Sequence, residues 1–159
     1  MIILGIDPGT ATTGFGLVKK EGSKLYPIDY GCIETKSKVA MPDRLNEIYK
    51  QTEKIINKYK PDTLACEELF FFKNLKTAIT VAQARGVLIV SGRKNQIPVF
   101  EYTPLQVKQA LTGYGRAEKK QIQKMVKLML NLEEIPKPDD AADALAVAIC
   151  HAHSEKLNF

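Results

Sequence analysis

The feature that most limits what this chain can fold into is the run Ile2-Ile3-Leu4-Gly5-Ile6, closed abruptly by Asp7. An unbroken apolar run of this length reads as a strand buried on both faces at the centre of a sheet. Pro8-Gly9 supplies the turn that follows. Proline presets φ at one corner, and glycine is expected to take a positive φ at the next. Thr13 to Lys19 then reads as the returning strand. A carboxylate is therefore expected at the carboxyl end of a central strand. Alone, such an aspartate is an ordinary turn former. It gains meaning only if other acids converge on it.

Further along, Leu25 to Thr35 reads as a third strand, at an edge because Pro27 cannot donate to a ladder. Leu45, Ile48, Thr52, Ile55, Ile56 and Tyr59 recur at helical spacing, and Lys60-Pro61 stops that helix. Thr63 to Glu67 is a second short apolar run that ends on an acid. Strand, helix, strand implies a right-handed crossover and a strand parallel to the first. Asp7 and Glu67 are then expected at the sheet edge where open α/β folds build their sites.

A helix from about Leu75 to Arg93 is apolar on every side in its second half, Val87-Leu88-Ile89-Val90. Burial on all sides is expected of it. A partner subunit is the economical cover and a flanking helix the rival. Pro98 to Tyr102 is the last strand. Thr103-Pro104-Leu105-Gln106 opens a helix with an N-cap threonine, a proline at the first position and a capping-box glutamine. Helices over about Ala117 to Leu130 and Asp139 to His153 complete the chain. No repeat or linker divides its 159 residues, so one domain, 1–159, is expected.

The net charge is +5, which suggests a polyanionic partner only mildly. Its distribution says more. Between Leu69 and Ala117 the one acid is Glu101, against seven lysines and arginines. No apolar stretch is long enough to span a bilayer. The chain opens on a strand without a signal-peptide layout, and Cys32, Cys66 and Cys150 are widely spaced. Reduced, half-buried thiols and a cytoplasmic location are expected.

Asp140 and Asp143 stand three apart at the start of the last helix and so share a face. Acids at a helix N-terminus can simply complement the dipole. Here, though, the helix body from Ala141 to Ala148 is made of alanine, leucine and valine apart from Asp143 and packs tightly. Its acids therefore point at something fixed. Four carboxylates in one cluster, Asp7, Glu67, Asp140 and Asp143, repel one another unless cations sit among them. Oxygen ligands of this kind select Mg²⁺ or Mn²⁺. Two such ions about 3.5–4 Å apart are the standard device for in-line displacement at a phosphodiester.

With GIDPGTATTGFG at the start, ACEELF followed by KN, QARG, TPLQVKQALTGYGRAEKKQIQ and a closing DDAADALAVAICHAH, the sequence resembles the RuvC family of Holliday-junction resolvases. The pieces occur in order over nearly the whole chain. The resemblance implies an α/β, ribonuclease H-like fold with a mixed five-stranded sheet flanked by helices. It implies a structure-selective endodeoxyribonuclease that resolves four-way DNA junctions by symmetric two-metal hydrolysis in recombination and repair. Asp7, Glu67, Asp140 and Asp143 would be the metal-binding catalytic set, with two Mg²⁺ per subunit and Mn²⁺ as a substitute. The choice of Asp140 over its neighbour Asp139 rests on the Asp-Ala-Ala-Asp spacing. A homodimer, and cooperation with the RuvA–RuvB branch-migration complex, are implied in the same way.

Lys108 and Lys119 match the family's basic residues near the scissile phosphate, where they would neutralise developing charge. Arg85 is a candidate structural residue. Phe70, Phe71 and Phe72 cannot all be buried in one strand, since successive side chains point to opposite faces. An exposed ring beside lysine suits base stacking, and Phe70 matches the family's junction-inserting aromatic. The expected DNA contacts are Phe70, Phe71, Lys73, Asn74, Arg116 and Lys120. His151 and His153 face different ways on their helix and are not a metal pair.

Other classes share parts of the pattern. Actin-like ATPases and sugar kinases also open on strand, Asp, Gly and Thr, but need two lobes and further phosphate motifs. A non-catalytic junction-binding protein would not need four convergent acids. YqgF-type nucleases share the acid logic, but the AEKK and DDAAD segments favour the resolvase.

Overall fold

The computed structural model describes residues 1–69 and 74–154. Among them, strands β1 (Ile2–Asp7), β2 (Thr12–Glu21), β3 (Lys24–Glu34), β4 (Thr63–Glu67) and β5 (Val99–Tyr102) form one mixed sheet in the order β3-β2-β1-β4-β5. The helices are α1 (Met41–Tyr59), α2 (Leu75–Lys94), α3 (Pro104–Thr112), α4 (Lys119–Met129) and α5 (Asp139–Ser154).

The opening apolar run is the central strand. β1 pairs antiparallel with β2 and parallel with β4, and its side chains divide between two cores. Leu4 and Ile6 join Leu17, Leu64, Ile48 of α1 and Leu88 of α2 on one face. Ile3 joins Val18, Leu145 and Ile149 on the other, where α5 lies with α3 and α4 beyond it. Each fully buried aliphatic side chain contributes about 1.5–3 kcal/mol, and both faces of β1 collect it. Pro27 lies on β3, the edge strand, and the β2–β3 register shifts beside it, between Leu17 and Val18.

Two helices and the cysteines refine these expectations. Within one chain α2 is covered on part of its surface: Ala84, Leu88, Ser91 and Gly92 face the core, whereas Ile79 and Val90 are each 60% exposed. α1 packs along one flank of α2, so the flanking helix supplies part of the cover. α1 itself starts at Met41, ahead of its first periodic leucine, with Pro42 in its first turn. Of the cysteines only Cys32 is half-buried; Cys66 and Cys150 are buried outright, and all three are free thiols.

Candidate active site

Asp7 and Glu67 end neighbouring parallel strands. The pairing of Ile6 with Cys66 sets them side by side at one edge of the sheet. The turn after Asp7 is tied down by Thr13, whose buried hydroxyl donates to the Gly9 carbonyl at 2.6 Å. Thr35 secures it from β3's end: its backbone N–H donates to the Ala11 carbonyl at 3.0 Å, and its hydroxyl donates to the Thr10 carbonyl. Gly9 does not take the positive φ expected of it. Glycine is required there for another reason, since a Cβ would overlap the Thr12 carbonyl oxygen.

α5 carries the other two acids to the same edge. It lies on the hairpin of β1 and β2, over Gly5, Gly14 and Gly16, where any Cβ would run into its backbone or Leu145. Gly14 is opposite Asp7 in the ladder and directly beneath the Asp140 backbone. The glycines therefore let the helix settle at backbone distance, and its first turn overhangs the end of β1. Asp140 and Asp143 are half-buried there, as are Asp7 and Glu67.

Electrostatics bind the four acids into one group. Burial pushes the Asp7 carboxyl up to about 8, aided by repulsion from Glu67, Asp143 and Asp140 and opposed by Lys119. Glu67 is pushed up to about 7, again by burial first and then by Asp143, with Lys108 and Lys119 pulling it down. Asp143 is raised as well; burial outweighs its bond to Lys119. Asp140 is the acid whose charge reaches Asp7, whereas Asp139 is turned toward α4.

Lys119 Nζ lies 3.0 Å from Asp143 Oδ2 and 3.4 Å from Asp139 Oδ2. Lys108, on α3, shares with Glu67, Lys119 and Asp143 the lining of a cleft of about 240 Å³. α3 is seated for this by its capping box: Thr103 Oγ1 accepts from Gln106 N–H at 3.2 Å, and Gln106 Oε1 accepts from Thr103 N–H at 2.8 Å. Arg116 and Lys120 are exposed nearby in sequence but do not line the cleft. Asn74 Oδ1 caps α2, accepting from Lys76 N–H at 3.0 Å. Phe70, Phe71 and Lys73 lie outside the described residues. Arg85 pairs with Glu101, joining α2 to β5 in a structural contact.

The donor set suits a hard divalent cation. Four carboxylates from three elements repel one another at a half-buried edge, and a lysine already stands among them. Among the described residues no three His, Cys, Asp or Glu side chains yet form a metal-ligating group. Strand register and the seat of α5 bring the acids close enough to interact electrostatically. Cys32 is near Asp140, but its thiol is pushed up to about 11 by burial and then by that acid, so the donors remain oxygens.

Sequence reasoning missed two features. One is the glycine row beneath α5, whose signal is the cluster of Gly5, Gly14 and Gly16 on two strands that are otherwise largely apolar. The other is the grip of Asp139 on α4, which no local pattern announces.

A five-stranded mixed sheet with acids from β1, β4 and α5 at one edge is the arrangement of the ribonuclease H-like class. A family model described as crossover junction endodeoxyribonuclease RuvC matches residues 3–151, and the chain belongs to that family. It is 60% identical to the crossover junction endodeoxyribonuclease RuvC of Alkaliphilus metalliredigens, over 97% of this chain and 94% of that one. Among solved structures, Thermus thermophilus RuvC superposes with a TM-score of 0.92 at 34% identity, covering 99% of this chain and 96% of that one. The same protein in complex with a Holliday junction substrate gives 0.91 at 32%, covering 99% and 97%.

Proposed function

We propose that this chain acts as one nuclease domain, a structure-selective endodeoxyribonuclease that resolves four-way DNA junctions in recombination and repair. The observation that carries the reading is the convergence of Asp7, Glu67, Asp140 and Asp143 at one sheet edge, beside a cleft lined by Lys108 and Lys119.

In this reading the four carboxylates hold two Mg²⁺ ions, for which Mn²⁺ substitutes. Bound there, the metal supplies a water nucleophile at neutral pH and charge stabilisation at the scissile phosphate. The protein's own contribution is placement. Asp7 and Glu67 are fixed by strand register, and Asp140 and Asp143 by the seat of α5. Lys108 and Lys119 bring positive charge to the same cleft and lower the pKa of Glu67, which keeps that carboxyl closer to its ionised, ligating form. At a phosphodiester their ammonium groups would offset the added charge of the transition state.

DNA is held by charge that tracks its phosphates, with Arg116 and Lys120 exposed as cations, while the neutral amide of exposed Asn74 can donate a hydrogen bond. Lys73 is a proposed contact in the same role, and Phe70 and Phe71 are proposed to stack on bases, with Phe70 inserting at the crossover. Nicking opposed strands symmetrically needs two sites, which a homodimer provides. The exposed flank of α2 is its proposed interface: a groove of about 460 Å³ there is lined by Leu45, Tyr49, Val87 and Val90 among others. Cooperation with a RuvA–RuvB complex and a cytoplasmic location belong to the same proposal. Among the described residues no helix is long and apolar enough to cross a membrane.

The test is an amide substitution at acids from the sheet and from α5. Asp7→Asn, Glu67→Gln and Asp143→Asn should each lower junction cutting by at least about a hundredfold, the order of a lost electrostatic stabiliser. Junction binding in a gel shift should survive, because the basic surface is untouched. Cutting at near wild-type rates in any of the three would remove that residue from the site.

A further inference from the structure

Asp139 lies next to the acid set without joining it, and its contacts are specific. Its Oδ1 accepts from Gln123 Nε2 at 3.0 Å, and its Oδ2 lies 3.4 Å from Lys119 Nζ. Lys119 and Gln123 are one turn apart on α4 and share a face. Asp139 and Asp143 are one turn apart on α5, and Lys119 bridges both. Each oxygen of Asp139 thus meets a different turn of α4, and the lysine is held between two acids of α5. Dipole complementation at the helix start would need only a negative charge there. It does not call for a bond from Gln123.

We propose that Asp139 is a positioning residue for Lys119. The proposal rests on the reading of Lys119 as a working group of the site. Asp143 is shared between two demands, the lysine and the metal. When Asp143 is committed to a cation, Lys119 keeps Asp139 as its anchor and stays at the mouth of the cleft, within reach of a phosphate. Gln123 fixes the plane of the Asp139 carboxylate and so fixes where the anchor points. Exposed ion pairs of this kind are individually weak, so the effect is a matter of alignment and is modest in size.

The experiment is a double-mutant cycle on the full-length protein with a synthetic four-way junction, Mg²⁺ and saturating enzyme, read as single-turnover cutting. Asp139→Ala should slow cutting about three- to tenfold, and Asp139→Glu should recover most of the loss. In a Lys119→Ala background, itself slow, Asp139→Ala should have no further effect. In the Mg²⁺-loaded protein without DNA, where Asp143 is committed to the cation, NMR relaxation of the Lys119 Cε methylene should report greater mobility in Asp139→Ala than in wild type, and equal mobility in the two overturns the proposal. An equal Asp139→Ala defect in both backgrounds, or none in either, overturns the proposal. An unimpaired Lys119→Ala enzyme overturns it from the other side, by removing Lys119 from the reaction while leaving the carboxylate site in place.

Discussion

Gly14 and Asp140 meet backbone to backbone: a methyl group on Gly14 would overlap the Asp140 carbonyl oxygen. The contact joins the second strand of the opening hairpin to the first turn of the last helix. Through it the position of two carboxylates depends on a glycine more than a hundred residues away in sequence. Gly14→Ala is predicted to lift the start of α5. Forcing one methyl group into packed backbone costs about 1–3 kcal/mol, and a shift of about 1 Å at a catalytic group can cost a hundredfold in rate. Urea melting and single-turnover cutting should therefore both respond, the second far more than the first. Wild-type cutting by a folded Gly14→Ala protein would mean that α5 is seated elsewhere.

The raised carboxyls give the metal-free protein a pH signature. The folded-state pKa values of Asp7 and Glu67, about 8 and about 7, lie above their ordinary values of 3.8 and 4.5. The folded state then binds more protons than the unfolded state between these limits. Stability is highest below pH 4 as far as these two groups are concerned, and falls as pH rises through 7 and 8. Asp7→Asn removes the penalty. Its thermal midpoint in EDTA should exceed wild type by several degrees at pH 8, given about 2–4 °C per kcal/mol at this size, with the gap closing toward pH 4. A gap that does not change with pH would show that Asp7 titrates normally.

Cation binding should release protons for the same reason. At pH 7, Mg²⁺ or Mn²⁺ displaces protons from carboxyls that are partly protonated beforehand. Calorimetric titration in two buffers of different ionisation enthalpy measures that release directly. It should be present in wild type and reduced in Asp7→Asn. Identical heats in both buffers would contradict the assigned protonation.

The exposed flank of α2 predicts the oligomeric state. Val90→Glu places a charge on the groove beside Val87, Leu45 and Tyr49. It should convert a dimer to a monomer at micromolar concentration in sedimentation, with little change in the thermal midpoint of the fold, because Val90 is already exposed. A wild-type chain that sediments as a monomer would remove this face as the interface.

How far the sequence alone carried the reading depended on the range of the interaction. The central strand, the edge proline and the capping box of Thr103 and Gln106 are short-range patterns, and each was legible. Asp7 and Glu67 could be paired because strand, helix, strand has one favoured hand. The close seat of α5 was not legible, since it depends on glycines and a helix that meet only in three dimensions. Gly9 illustrates the same limit: glycine was expected for its φ and is needed for its missing Cβ. The cover of α2 was legible only as two alternatives, a partner subunit or a flanking helix, because hydrophobicity around a helix does not say which neighbour covers it; α1 takes one flank and the other is open within one chain. Asp139 was weighed only as a rival of Asp140, and its bond partners on α4 lie in another helix altogether.

The central claim is that the carboxylate edge cuts a four-way junction with a metal's help. The most direct measurement incubates the purified protein with a synthetic junction whose four strands are separately labelled, in Mg²⁺ or in EDTA. Paired nicks on two opposed strands, present with Mg²⁺, absent in EDTA and absent for Asp7→Asn, are the predicted result. Binding without cutting in Mg²⁺, or equal cutting of linear duplex, would contradict it.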